Sequence, residues 1–225
     1  MFAAPAIFFQ MGGLGGYQGP NFALLGVIQL VLVVGVLRVG TRMLGMNFHD
    51  IGLRTPDFLS GAFRQDLLLG VGAAALWIAV QFLVLFPQTG GAARPDIAEI
   101  LKMVDGRWMN VLWYLPLGVL GGGVAEELYN RGFFITVLRD ILGGGKTLAG
   151  SSSAMGWPAF AAAALSVVFF AAGHLPSGLI DWVDILIPSI GYAAIFLYTG
   201  RLTACIVAHS IWNSVAVAGI FLMYG

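Results

Sequence analysis

Residues 108–140 read WMNVLWYLPLGVLGGGVAEELYNRGFFITVLRD. Two apolar runs enclose a polar segment that carries three formal charges, at Glu126, Glu127 and Arg131. A helix that crosses about 30 Å of hydrocarbon needs about 20 residues at about 1.5 Å each. This region is longer than that. We therefore expect its helix either to break near Gly121–Gly123 or to project beyond the membrane.

Apolar runs long enough to span a membrane occur elsewhere in the chain, at about 22–39, 67–86, 157–174, 183–199 and 203–223. The composition is 59% hydrophobic and 10% charged, whereas soluble domains carry about 25% charged residues. So little polar surface excludes a globular protein in water. We predict an all-α, polytopic membrane helical bundle with six spans, or seven if the region 108–142 is divided.

The same pattern divides the chain into three parts. Residues 1–21 are rich in glycine, and we expect them to be flexible or to lie in the membrane interface. Residues 22–107 hold accessory transmembrane spans and their loops, and residues 108–225 form the core that carries the ionisable side chains. Arginines are concentrated in the loop after the first span, which places that loop in the cytoplasm.

The acidic pair inside the apolar region is a candidate for chemistry. A charge near the bilayer centre costs about 2.5–3.5 kcal/mol, so ionisable residues there are functional candidates. Glu127 and Arg131 are four residues apart on one helical face, which favours an ion pair. Glu126 is five residues from Arg131 and points away from it, so its carboxylate is free to exchange a proton. Taken alone, a Glu–Arg pair would be structural.

Two further pairs stand at i, i+4 in apolar segments: Phe170 and His174 in FAAGH, and His209 and Asn213 in HSIWN. A carboxylate and an imidazole can activate a water, and an imidazole and a carboxamide can donate to a developing oxyanion. With Glu126 they supply the parts for water attack on an amide without a covalent intermediate. Each pair alone fits a plainer role, since a membrane histidine can join two helices and Phe170 can simply pack.

Other classes of function have less support. A net charge of zero gives no indication of a nucleic-acid partner. The single cysteine, Cys205, excludes an internal disulfide and a cysteine-rich metal site. A proton-coupled transporter would also bury Glu, His and Arg and stays an alternative, although related halves, which many transporters have, are not visible here. The sequence does not indicate an oligomeric state.

In these motifs the chain resembles the CPBP, or Abi, family of intramembrane proteases, which includes the type II CAAX prenyl endopeptidases. The EExxxR motif of that family matches 126–131, its FxxxH motif matches 170–174 and its HxxxN motif matches 209–213, in the same order. The resemblance covers about 110–223. It implies a helical core around a water-accessible cavity inside the bilayer.

The resemblance also implies roles for individual residues. Glu126 and His174 would activate the water, and His209 and Asn213 would bind the oxyanion. Three more would support the site structurally: Glu127, Arg131 and Phe170. A metal-free site is favoured. In the alternative, zinc would be held by Glu126, His174 and His209.

From the same resemblance we expect a substrate within or against the lipid bilayer. It would be a membrane-anchored protein or peptide, cut at a C-terminal tail, a propeptide or a CAAX-like end. We expect the enzyme to be a multi-pass protein of the bacterial inner membrane. A family member that acts as a membrane partner or immunity protein without hydrolysis is the alternative.

Overall fold

A computed structural model describes residues 19–54, 60–143, 156–174 and 178–225, which form seven helices of at least ten residues and no strand. In chain order the helices are α1 (Pro20–Met43), α2 (Gly61–Gln88), α3 (Pro95–Val104), α4 (Trp108–Leu142), α5 (Trp157–Gly173), α6 (Leu179–Thr199) and α7 (Thr203–Tyr224). Helices α1, α2, α4, α6 and α7 are apolar and long enough to cross a membrane. The prediction of an all-α membrane bundle is confirmed, and the chain is a multi-pass integral membrane protein.

The predicted span 157–174 forms the shorter helix α5. Its 17 residues extend about 25 Å, less than the hydrocarbon thickness of about 30 Å. Of the N-terminal segment 1–21, predicted to be flexible or interfacial, residues 1–18 lie outside the described residues, and Pro20 already begins α1. The amphipathic helix α3 lies in a stretch that the sequence pattern assigned to a loop.

Helix α4 does not break at Gly121–Gly123, so of the two expected alternatives the structure has the single helix that is longer than the membrane is thick, and region 108–142 is not divided into two spans. The helix runs on through two π-helical segments, Leu117–Glu126 and Leu128–Ile135, in which the turns are wider than in an α-helix. The glycines serve helix packing, because a Cβ on Gly123 would overlap the Ser210 side chain on α7. Small residues let two membrane helices approach this closely.

Helix α4 lies at the centre of the bundle, between α1 and α7, while α5 packs against its second half and α6 against both α5 and α4. Helix α7 packs equally closely against α2. The main apolar cluster contains buried residues from α1, α4, α5, α6 and α7, such as Val33, Leu128, Val167, Tyr192 and Cys205 in that order. The division at residue 107 into accessory spans and core stays a prediction.

Ion pairs fasten the bundle near both ends. Asp66 on α2 is 1% exposed and accepts hydrogen bonds from Arg201, between α6 and α7, at 2.7 and 2.6 Å. Donating these hydrogen bonds to the Asp66 carboxylate raises the pKa of Arg201. Elsewhere Arg94, just before α3, pairs with Asp184 on α6. These contacts fix the loops between spans and so hold α2, α6 and α7 around α4.

Candidate active site

Three neighbouring residues of α4 form the base of the site. Glu126 ends the first π-helical segment, Glu127 follows it, and Arg131 lies in the second segment. Glu127 and Arg131 are both fully buried, with their side-chain atoms Oε1 and Nη1 3.3 Å apart. Glu126 is 21% exposed. The two adjacent carboxylates therefore have separate environments, with Glu127 in the ion pair that the spacing predicted.

The buried ion pair has further partners on α6 and α7. Arg131 Nη2 donates to Ser189 Oγ at 2.7 Å and to the Ser189 carbonyl at 3.3 Å. His209 Nδ1 lies 2.8 Å from Glu127 Oε1, and a carboxylate only accepts, so the ring donates. One carboxylate thus holds an arginine on its own helix and a histidine on α7. This network connects three helices through charged hydrogen bonds.

Aromatic rings close around these charges. The Arg131 guanidinium lies over the Phe170 ring, with its carbon 4.4 Å from the ring centroid, and 5.5 Å from the Tyr192 centroid. Tyr192 also stacks on His209, with centroids 5.1 Å apart. Such contacts stabilise cations that have left water. Phe170 is therefore placed against the arginine.

Glu126 faces both histidines. Its Oε2 atom lies 3.9 Å from His174 Nε2 and 4.0 Å from His209 Nε2. Both distances are too long for a direct hydrogen bond, and one water molecule can bridge either pair. His174 follows the end of α5 and its side chain is 39% exposed, whereas that of His209 is 7% exposed. The carboxylate therefore stands between a buried imidazole and an accessible one.

The other ring nitrogens determine what each histidine presents to Glu126. His174 Nδ1 lies 2.8 Å from the Phe170 carbonyl oxygen, which only accepts, so this nitrogen carries the proton. In a neutral ring the Nε2 atom that faces Glu126 then has a free lone pair. His209 donates from Nδ1 to Glu127 in the same way. Both rings are thus held in one orientation by an acceptor behind them.

Asn213 lies one helical turn beyond His209 on α7. Its Nδ2 atom donates to the Gly118 carbonyl at 3.1 Å. A Cβ on Gly122 would overlap Asn213 Nδ2 and would lie 3.6 Å from His209 Nε2, so both side chains converge over this glycine. The carboxamide and the imidazole therefore project to the same patch of α4. The structure brings together all four residues that the sequence singled out for catalysis.

Three contacts of the site were not anticipated from the sequence. Gln29 on α1 donates from Nε2 to Glu126 Oε1 at 3.3 Å. Ser189 and Tyr192 on α6 hold Arg131 and His209, as described above. For Gln29 a signal existed, because it is a polar residue in the middle of an apolar span. Serine and tyrosine are common in such helices and gave no comparable signal.

The spacing of the three alternative zinc ligands, Glu126, His174 and His209, suits a bridging water better than a zinc ion. Ligands at about 2.0–2.2 Å from a tetrahedral ion lie about 3.3–3.5 Å from one another. The Glu126 oxygen lies 3.9 and 4.0 Å from the two Nε2 atoms, which is wider. Across the described parts of the chain, no three His, Cys, Asp or Glu side chains have the arrangement of a metal site.

Comparison with known proteins gives one match. Residues 108–215 match the family model described as Type II CAAX prenyl endopeptidase Rce1-like. No curated protein and no solved structure matches the chain. The matched range begins with α4 and ends just beyond Asn213, so it contains every motif discussed above. Residues 108–215 therefore form an Rce1-like domain, the domain of the type II CAAX prenyl endopeptidases, which are a protease family within the CPBP group.

Proposed function

We propose that this protein is an intramembrane endopeptidase that hydrolyses a peptide bond of a membrane-associated protein or peptide. The observation that carries the proposal is the position of Glu126. Its Oε2 atom lies 3.9 and 4.0 Å from the Nε2 atoms of His174 and His209, where one water can touch the carboxylate and an imidazole. A carboxylate and an imidazole that share a water are the parts of a general-base hydrolase.

In the proposed reaction the water lies between Glu126 and His174. Its oxygen attacks the carbonyl carbon of the substrate, and its proton passes to the carboxylate. The resulting tetrahedral intermediate carries a negative oxygen. When the C–N bond breaks, the proton moves from Glu126 to the leaving nitrogen, which restores the enzyme. Glu126 is suited to this exchange because it is partly exposed and is not part of the buried ion pair.

The oxyanion would be bound by His209 and Asn213. Asn213 has a second N–H besides the one given to Gly118. His209 already donates from Nδ1 to Glu127, so it can donate from Nε2 only as an imidazolium. With His209 charged, the negative charges of Glu126 and Glu127 are balanced by the positive charges of His209 and Arg131. Neutrality matters here, because uncompensated buried charge is costly.

In this proposal Glu127 and Arg131 hold the site rather than react. Glu127 is fully buried and contacts both Arg131 and His209, so it fixes the imidazole that faces the oxyanion. Arg131 in turn is held by Ser189 and by the Phe170 ring. Groups that keep catalytic side chains in a fixed orientation lower the cost of reorganisation during the reaction.

We further propose that the reaction needs no metal. The ligand separations are wide for zinc, and the carboxylate and imidazole can themselves accept the proton of the water. The substrate would be a membrane-anchored protein or peptide in a bacterial inner membrane, cut near its C-terminus or at a propeptide. The apolar span around the site supports a substrate segment that reaches it within the bilayer.

A peptide-cleavage assay tests this function. The purified protein in nanodiscs is incubated with a library of lipid-anchored peptides, including a farnesylated CAAX peptide, and products are identified by mass spectrometry. We expect cleavage by the wild type and none by Glu126→Gln. Glu99→Gln is the matched control, because Glu99 is exposed on α3 and is the chain's third glutamate. Equal cleavage by the wild type and Glu126→Gln would refute the proposal.

A further inference from the structure

The side chain of Gln29 reaches the proposed catalytic carboxylate from a helix outside the family match. Gln29 lies on α1, whereas the match begins at residue 108. Its Nε2 atom donates to Glu126 Oε1 at 3.3 Å. Because a carboxylate only accepts hydrogen bonds, it must be the amide nitrogen that faces it. A side chain that belongs to no matched motif thus contacts the residue on which the reaction depends.

The helix interface is built to bring this amide close to α4. A Cβ on Gly26, three residues before Gln29, would lie 2.6 Å from the Pro116 carbonyl oxygen of α4. A Cβ on Gly121 would lie 2.7 Å from Gln29 Oε1. The first distance is to backbone, so only glycine permits the approach at residue 26, whereas a Cβ at residue 121 would push the Gln29 amide out of its present position. The two glycines let α1 pack directly on α4 and leave room for the amide.

The hydrogen bond from Gln29 gives the two oxygens of the Glu126 carboxylate different partners. Gln29 engages Oε1, and the two imidazoles face Oε2. With one oxygen fixed, rotation of the carboxylate is restricted and the other oxygen stays directed at His174 and His209. Without this bond the partly exposed carboxylate could turn to other rotamers. A misplacement of about 1 Å at a reacting group can cost on the order of a hundredfold in rate.

We propose that Gln29 is a positioning residue, which holds Glu126 so that Oε2 faces both histidines. The inference rests on the proposed function for its effect on rate, but not for the hydrogen bond itself. It also assigns α1 a part in the site, although its sequence lies outside the matched family region. A polar residue in an apolar span needs a reason to be there, and this contact supplies one.

Infrared spectroscopy tests the hydrogen bond without any substrate. In pH-difference spectra of the protein in nanodiscs, a carboxyl band absent from Glu126→Gln belongs to Glu126. We expect Gln29→Leu to shift this band to higher frequency, because the C=O group loses its donor. Gln81→Leu is the matched control, since Gln81 is a fully buried amide on α2, and it should leave the band unchanged. An unshifted band in folded Gln29→Leu would overturn the proposal.

Kinetics test the positioning role with any peptide that the wild type cleaves. We expect Gln29→Leu to lower kcat by on the order of tenfold to a hundredfold and to change KM little. A purely structural part would instead lower the melting temperature and the active fraction, with the kcat of the folded enzyme unchanged. A band shift with unchanged kcat would overturn the positioning role. A band shift with no cleavage by the wild type would support the hydrogen bond and refute the proposed function instead.

Discussion

Replacement of Arg131 by methionine is the sharpest test of the buried network. The side chain is fully buried and pairs with Glu127, which is also fully buried. Removing one partner of a buried pair costs about 3–5 kcal/mol, because the other charge is left without compensation. His209 still donates to Glu127 in the variant, so we expect the lower end, about 3 kcal/mol. Arg131→Met should therefore unfold far more easily than the wild type.

The free energy of unfolding can be measured by titration with SDS in mixed micelles, followed by tryptophan fluorescence. Arg139→Met is the matched control, because Arg139 lies on the same helix and pairs with its neighbour Asp140, and both side chains keep 18% of their surface exposed whereas Arg131 and Glu127 keep none. That variant should lose clearly less stability than Arg131→Met, because water still reaches the pair and screens its charges. Equal losses in the two arginine variants would refute the reasoning.

A second variant distinguishes the cost of leaving the Glu127 carboxylate unpaired from the cost of losing side-chain volume. Glu127→Gln combined with Arg131→Met removes both charges and keeps a carbonyl oxygen that can accept from His209. Replacing a buried pair by neutral groups is often close to neutral for stability. The double variant should therefore be more stable than Arg131→Met alone. If it is less stable, burial of an unpaired carboxylate is not the cause of the loss.

Three further predictions concern the site itself. Glu126→Gln should abolish hydrolysis and cost much less stability than Arg131→Met, because Glu126 is partly exposed and lies outside the buried ion pair, and retained hydrolysis or a loss as large as that of Arg131→Met would contradict it. Gly122→Ala should lower kcat by at least about tenfold, since its Cβ would displace the Asn213 amide, whereas Gly35→Ala, where a Cβ meets nothing within 4 Å, should not. Activity should survive prolonged incubation with phenanthroline, and metal analysis should find far less than one zinc per chain. Loss on chelation with recovery on added zinc would show a metal enzyme.

The spans could be predicted because hydropathy over about 20 residues reports directly on membrane burial. Their ends were less accurate where tertiary contacts extend a helix. Helix α2 begins at Gly61 rather than near residue 67, and its first turns include the polar residues Arg64 and Asp66. Asp66 can be buried because Arg201 pairs with it. Hydropathy averaged over a window of residues contains no information about a partner that is distant in sequence.

The sequence could not decide whether α4 is continuous, for a related reason. Three consecutive glycines usually weaken a helix, so a break near Gly121–Gly123 and a continuous helix that projects beyond the membrane were both expected as alternatives. In the structure these positions lie against Gln29, Asn213 and Ser210, which occupy the space of the missing side chains. Packing between helices thus outweighs the local preference of glycine. Only knowledge of the neighbouring helices reveals this.

For the site, spacing predicted the local contacts and missed the distant ones. The Glu127–Arg131 pair follows from i, i+4 geometry and is present. The contact of His209 with Glu127, however, joins α7 to α4, and the hydrogen bond of Arg131 to Ser189 joins α4 to α6. Neither has a local signature in the sequence. The catalytic roles assigned to the four convergent residues stay predictions for experiment.

In the proposed mechanism Glu126 activates a water that attacks the peptide bond directly. A single turnover with enzyme in excess, in water labelled with heavy oxygen, tests it most directly. We predict one labelled oxygen in the new C-terminal carboxylate of the product and none in the enzyme peptide that contains Glu126. An unlabelled product with label in Glu126 would show that the carboxylate itself attacks the substrate, and it would contradict direct attack by water.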